Sequence, residues 1–172
     1  MEILFNKEEI EFKTKIIAKQ ISDEHRGDGT PIVFVCLLTG GFIFFSDLTQ
    51  ETKLDFEVDF MRVKSYISKR KQGDIQVTKD LETAIKGKHV YIIDDIYDSG
   101  RTMQSVTKYL RVKEPRSLNV VTLLKREQNA VDASDFADSF IYGFEIKGEW
   151  VVGYGMDNEK GYCRNYAGIF AV

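Results

Sequence analysis

Three short runs, apolar almost without interruption, set the strongest limit on what this chain can become: Ile32–Leu38 (IVFVCLL), Val90–Ile93 (VYII) and Leu118–Leu124 (LNVVTLL). A strand with one wet face alternates apolar and polar residues, whereas a strand covered on both faces reads as a run. Covered strands need helices above and below, and the intervening stretches supply them. Asn6 stands three residues before Glu9 in the pattern of a capping box, and Ile10, Ile17 and Ile21 follow at helical spacing. Gly27, Gly29 and Pro31 end that element, Phe42–Gln50 reads as a second helix, and Met103, Val106 and Leu110 mark a third. Phe56, Val58 and Phe60 alternate with Glu57, Asp59 and Met61, the period of a half-buried strand, and Ile75–Thr78 reads as a returning strand. Phe140–Phe144 and Val151–Tyr154 suggest two more. Strands alternating with helices imply βαβ crossovers, hence an α/β architecture with a mainly parallel sheet. With 172 residues, no internal repeat and no shift in composition, residues 1–172 are expected to form a single domain.

Several function classes fall away on composition. A net charge of −3 gives no global positive field, so a nucleic-acid partner is not expected. No run approaches the roughly 20 apolar residues of a membrane helix, and MEILFNKEEIEF lacks the basic and apolar regions of a signal peptide. A cytoplasmic protein without a membrane partner is the expectation. Cys36 and Cys163 lie far apart, which argues against a disulfide framework, and two histidines are too few for a four-ligand zinc site.

The chemistry concentrates in Val90–Met103, VYIIDDIYDSGRTM. A buried strand ends in Asp94-Asp95, and Asp98, Ser99, Gly100, Arg101 and Thr102 follow directly before a helix. A small-residue loop that opens a helix offers backbone N–H groups and the positive end of the helix dipole, which suits a phosphate. Ser99 and Thr102 add hydroxyl donors. Carboxylates beside a phosphate make sense when the ligand also carries vicinal hydroxyls or Mg²⁺, so the combination asks for a sugar phosphate. Ligands of open α/β sheets bind beyond the carboxyl ends of the strands, where this loop falls. The spacing of a P-loop and the dinucleotide fingerprint GxGxxG are both missing from the sequence.

VYIIDDIYDSGRTM resembles the motif by which the phosphoribosyltransferases bind 5-phosphoribosyl-1-pyrophosphate (PRPP). VDFMRVKSY (58–66), WVVGYGMD (150–157) and LLTGGF (37–42) narrow the resemblance to the hypoxanthine–guanine branch, and matching pieces recur in order from about residue 32 onward. The resemblance implies the type I phosphoribosyltransferase fold, a mainly parallel sheet flanked by helices, with a flexible hairpin lid and a small hood formed by terminal segments. It implies that Asp94 and Asp95 hold the ribose hydroxyls and Mg²⁺, and that Asp98, Ser99, Gly100, Arg101 and Thr102 cradle the 5′-phosphate. Asp98 also falls where the family places a catalytic carboxylate near the purine ring. Asp94 departs from the family's usual glutamate. Thr39 and Gly40 fall in a pyrophosphate loop with a non-proline cis peptide, where the family commonly has lysine in place of Thr39. Arg164 resembles a pyrophosphate-binding arginine.

On the base, the resemblance implies Trp150 stacked on the purine, Val151 contacting it through the backbone, and Asp157 beside it as a further Mg²⁺ ligand. A donor to the 6-oxygen falls on Lys125 by residue type, or on Arg126 by gapless alignment; residue type favours Lys125. Ser65 and Tyr66 begin the basic segment Lys64–Gly73 that resembles the lid. The implied activity is transfer of the phosphoribosyl group from PRPP to a 6-oxopurine, giving IMP or GMP and pyrophosphate, in a homodimer or homotetramer. A xanthine-preferring enzyme and a PRPP-sensing regulator on the same fold are the alternatives.

Overall fold

The computed structural model describes residues 1–65, 75–127 and 130–172. Its main sheet is six-stranded in the order β4-β3-β2-β5-β6-β7, with β2 (Ile32–Leu38), β3 (Glu57–Ser65), β5 (His89–Tyr97), β6 (Ser117–Arg126) and β7 (Ser139–Ile146) parallel. Only β4 (Ile75–Lys79) runs against its neighbour, returning along β3. The three apolar runs occupy adjacent strands, β2, β5 and β6, in the middle of the sheet. Their residues divide between two cores: Phe34, Cys36, Tyr91 and Ile93 point to one, and Val33, Val35, Val90, Ile92, Leu118 and Val120 to the other. Helix α1 (Lys7–Glu24) and α2 (Phe42–Glu51) cover the first, and α3 (Arg101–Arg111) covers the second.

Helix α1 begins as the sequence predicts. Asn6 Oδ1 accepts from the Glu9 amide at 2.9 Å, and Glu9 Oε2 accepts from the Asn6 amide at 2.8 Å. Each bond satisfies an N–H group that the first turn leaves without a helical partner. Ile10, Ile17 and Ile21 are buried. Met103, Val106 and Leu110 likewise form the buried face of α3.

A second, three-stranded sheet forms the hood expected from the resemblance, in the order β1-β9-β8, from β1 (Glu2–Phe5), β8 (Val151–Val152) and β9 (Ile169–Ala171). The strand pattern around Val151 therefore belongs to this small sheet, not to the large one. On β3 the two faces exchange the roles that hydropathy suggests. Asp59 and Met61 are buried, whereas Val58 and Phe60 are 43% and 38% exposed. Asp59 tolerates burial because its Oδ2 accepts from the amides of Glu82 at 2.8 Å and Thr83 at 2.7 Å, and its Oδ1 accepts from the amide of Phe60 at 2.7 Å. Buried polar groups satisfied in this way carry little penalty.

Candidate active site

The carboxyl ends of β2 and β5 lie side by side, and the loops that leave them meet. The loop after β2 begins with a cis peptide between Leu38 and Thr39, where the resemblance placed one. Gly40 follows against the carboxylate of Asp95: a Cβ on Gly40 would lie 1.9 Å from Asp95 Oδ2. On its other side Gly40 meets the turn after β8. Gly155 has φ +101°, and a Cβ there would lie 2.1 Å from Gly40 O. Only residues without a side chain allow two pieces of backbone and a carboxylate to close this tightly.

Asp94 and Asp95 stand half-buried at this junction. The Asp95 amide donates to Asp94 Oδ1 at 2.9 Å, and the Ile96 amide donates to Asp95 Oδ1 at 2.8 Å. Removal from water, followed by the neighbouring Asp95 charge, pushes the Asp94 carboxyl well above the usual range. Burial raises Asp95 too, against opposing hydrogen bonds and the charge of Arg164. Two acids that resist ionisation side by side gain from any ligand that brings hydroxyl donors or a hard cation. Their oxygens thus suit the Mg²⁺ that the resemblance implies.

Helix α3 opens at Gly100, whose φ of 75° is left-handed and which offers no side-chain cap. A Cβ at Gly100 would lie 2.3 Å from the Tyr97 hydroxyl. That hydroxyl donates to Val131 O at 2.5 Å, and the Val131 amide donates to Ser99 O at 2.9 Å, so the loop is fastened from behind. Ser99 and Arg101 are exposed and Thr102 half-buried, on the side where the uncapped helix end faces out. A bound anion fits such a helix end.

The structure separates the two candidate donors at the end of β6, because successive strand residues project to opposite faces. Arg126 Nε donates to Asp98 Oδ1 at 2.7 Å, and its Nη1 donates to Lys147 O at 2.7 Å and Glu149 O at 3.0 Å. Lys125 instead donates to Glu145 Oε1 at 2.8 Å and lies 4.8 Å from the centre of the Tyr142 ring. Lys125 thus lies on the face of β6 away from Asp98. Arg126 is the cation that faces the loop, and it ties Asp98 to the segment just before Trp150.

Trp150 is 60% exposed, Val151 is buried, and the Trp150 carbonyl accepts from the Val172 amide at 2.9 Å. The indole is thus held by its backbone while its ring faces solvent. Arg164 Nη2 lies 2.6 Å from Asp157 Oδ2, and its Nη1 donates to Gly155 O at 2.6 Å. Asp157 and Arg164 are brought together, beside Gly155 and hence Gly40. Ser65 is the last residue of β3, whereas Tyr66 and the rest of the expected lid through Gly73 lie outside the described residues. Gly155 and Tyr97 join the site only through the fold, and the Gly-Tyr-Gly at 153–155 is the one sequence signal that points to the first.

A family model described as phosphoribosyl transferase domain matches residues 1–159. Hypoxanthine phosphoribosyltransferase from Escherichia coli K12 is 38% identical over 94% of the chain and 90% of its own length. Hypoxanthine-guanine phosphoribosyltransferase from Aquifex aeolicus is 38% identical over 100% of the chain and 94% of its own length. Among solved structures, a hypoxanthine phosphoribosyltransferase from Staphylococcus aureus superposes with a TM-score of 0.90 at 34% identity, covering 100% of this chain and 91% of that one.

Proposed function

This chain belongs to the hypoxanthine–guanine phosphoribosyltransferase family, and on that premise we propose that it is a purine-salvage enzyme that transfers the 5-phosphoribosyl group of PRPP to a 6-oxopurine, giving IMP or GMP and pyrophosphate. One observation carries the reading beyond family membership: an uncapped helix end, a half-buried acid pair and a glycine loop converge on one side of the sheet. These three parts match the 5′-phosphate, the ribose and the pyrophosphate of a single substrate.

Roles follow from the geometry. Ser99, Gly100, Arg101 and Thr102 bind the 5′-phosphate at the start of α3, assisted by the helix dipole. Asp94 and Asp95 accept from the ribose hydroxyls, which relieves the repulsion between them. Thr39 and Gly40 present backbone to the pyrophosphate, and Arg164 supplies a positive charge beside them. Asp94, Asp95 and Asp157 are the residues that would hold Mg²⁺. When bound, the ion offsets charge on the departing pyrophosphate.

Asp98 accepts the proton released as the purine ring nitrogen bonds to C1′ and the bond from C1′ to pyrophosphate oxygen breaks. Arg126 holds one oxygen of that carboxylate, yet 63% of the Asp98 side chain stays exposed to an arriving base. Arg126 donates to the 6-oxygen, and Trp150 stacks on the ring. A donor at that position selects against adenine, whose 6-amino group is itself a donor. Ser65 and Tyr66 begin the lid, residues 1–172 act as one domain, and the protein works in the cytoplasm as a homodimer or homotetramer.

Isotope-labelled hypoxanthine, guanine, xanthine and adenine, each incubated with PRPP and Mg²⁺, test the reading directly. Nucleotide is expected from hypoxanthine and guanine and not from adenine. PRPP binding without turnover of any base would refute an enzyme and favour a sensor.

A further inference from the structure

At the opposite end of the sheet, away from the loops described above, the fold brings together the chain's only two histidines. His25 caps the end of α1 and His89 opens β5, and their ring centres lie 4.5 Å apart. Asp28 completes the group. Its Oδ2 lies 2.9 Å from His89 Nε2 and 3.5 Å from His25 Nδ1. The three donor atoms all fall within 4.8 Å of one another. The two imidazoles are 10% and 12% exposed, and Asp28 is 30% exposed on the solvent side.

The other nitrogen of each ring is already engaged. His25 Nε2 lies 2.6 Å from the Tyr91 hydroxyl, which donates its single proton to Glu24 Oε2 at 3.0 Å. Glu24 can only accept, so that proton is committed to it and the hydroxyl has no second proton for His25. The hydroxyl oxygen must then accept from His25 Nε2–H, which puts the lone pair of the neutral ring on Nδ1. That nitrogen faces the Asp28 carboxylate at 3.5 Å, a separation that a proton or a metal ion bridges. His89 is also held at its far nitrogen: its Nδ1 lies 2.6 Å from Ser117 Oγ, which accepts from Asn119 Nδ2 at 2.9 Å. Ser117 Oγ keeps both a proton to give and a second lone pair, so it serves either tautomer of His89, including the one whose Nε2 lone pair faces Asp28. Histidines that ligate metals are commonly oriented in this way by a hydrogen bond at the far nitrogen.

We propose that His25 Nδ1, Asp28 Oδ2 and His89 Nε2 form a binding site for a divalent transition metal of the zinc class, with solvent as the fourth ligand. Two imidazoles and one carboxylate favour zinc, cobalt or nickel over magnesium, which prefers oxygen alone. Metal–ligand bonds of about 2.0–2.2 Å in a tetrahedron place donor atoms about 3.3–3.6 Å apart; the 3.5 Å between Asp28 and His25 matches, and the 2.9 Å between Asp28 and His89 opens by a few tenths of an ångström on binding. Asp28 Oδ1 accepts from Thr30 Oγ1 at 2.7 Å, which fixes the carboxylate plane. The ion would pin the end of α1 and the turn after it to the leading edge of β5. Counting histidines in the sequence argued against a four-ligand zinc site; a three-ligand site of paired elements escapes that count.

The test uses the full chain, freed of metal by chelation and titrated with Co²⁺ and, separately, Zn²⁺ in the absence of PRPP. One equivalent of Co²⁺ is expected to give visible absorption of low-symmetry, nitrogen-containing coordination. Zn²⁺ at a hundredfold excess over its Kd is expected to raise Tm by about 5–10 °C. Asp28→Asn and His89→Gln should each weaken binding at least tenfold while leaving nucleotide formation within about twofold. Lack of a visible band and of a Tm shift in the unmodified chain overturns the proposal. So does a metal response that survives both substitutions, or one that disappears in Asp95→Asn and so belongs to the acid pair across the sheet. Asp28 is the more exposed ligand, so its variant keeps the test decisive should His89→Gln fail to fold.

Discussion

Strand β5 carries His89 at its first position and Asp94 and Asp95 near its last turns, and its two ends handle charge in opposite ways. At the leading end the groups around His89 are each partnered at hydrogen-bond distance: Asp28 with Thr30 and His89, His25 with Tyr91, Tyr91 with Glu24. The Asp28 pKa is accordingly driven down. At the trailing end two acids sit together with mostly backbone amides for company, and the Asp94 pKa is driven up by burial and by its neighbour. Hydrogen-bonded neighbours orient the leading-end groups for the single ion proposed there, whereas the trailing-end acids await the partners that a larger ligand brings.

The contrast breaks most sharply at Asp98. Asp98→Asn is expected to lower kcat by roughly 10²–10⁴-fold, the usual contribution of a positioned acid–base group, with PRPP affinity little changed; steady-state kinetics and calorimetry separate the two. Next in size is Arg126→Ala, which removes a charge-assisted donor proposed to read the 6-oxygen. A loss of about 10–100-fold in kcat/KM for hypoxanthine corresponds to one such bond. Lys125→Ala should change it by less than about threefold, and the reverse ranking would restore Lys125 to the base site.

Gly155→Ala tests how tightly the trailing end is closed. Its φ of +101° and the contact with Gly40 O leave no space for a methyl group, so a stability loss of about 1–3 kcal/mol is expected from urea unfolding. The smallest effect lies at the leading end. Asp28 has a folded pKa near 2 against an ordinary 3.8. Its contribution is therefore present above about pH 4 and fades as pH falls toward 2. Asp28→Ala should flatten the dependence of Tm on pH across that acidic window and leave it unaltered near neutrality.

What the sequence made legible were features with short-range causes. The capping box, the three covered strands and the acid-rich loop before α3 each rest on residues within a few positions of one another. Features that depend on distant partners stayed hidden. MEILF carries no strand signal strong enough to stand alone, because β1 exists only through its pairing with β9 at the far end of the chain. The exposed Val58 and buried Asp59 follow from amides at residues 82 and 83, which no local alternation encodes. Lys125 and Arg126 are adjacent in sequence, and only the orientation of β6 decides between them. His25 and His89 meet only because β5 lies beside β2, at the end of the turn that follows α1.

The pairing of Glu2 with Ala171 and Ile3 with Phe170 also orders events during synthesis. At about 5–20 residues per second, the ribosome needs on the order of ten to thirty seconds to make the partner of the first strand. Until then the opening residues trail unpaired while the parallel sheet can already assemble, so the small three-stranded sheet is the last piece fitted. A nascent chain arrested before residue 169 should therefore show protease protection in the main sheet and cleavage ahead of α1.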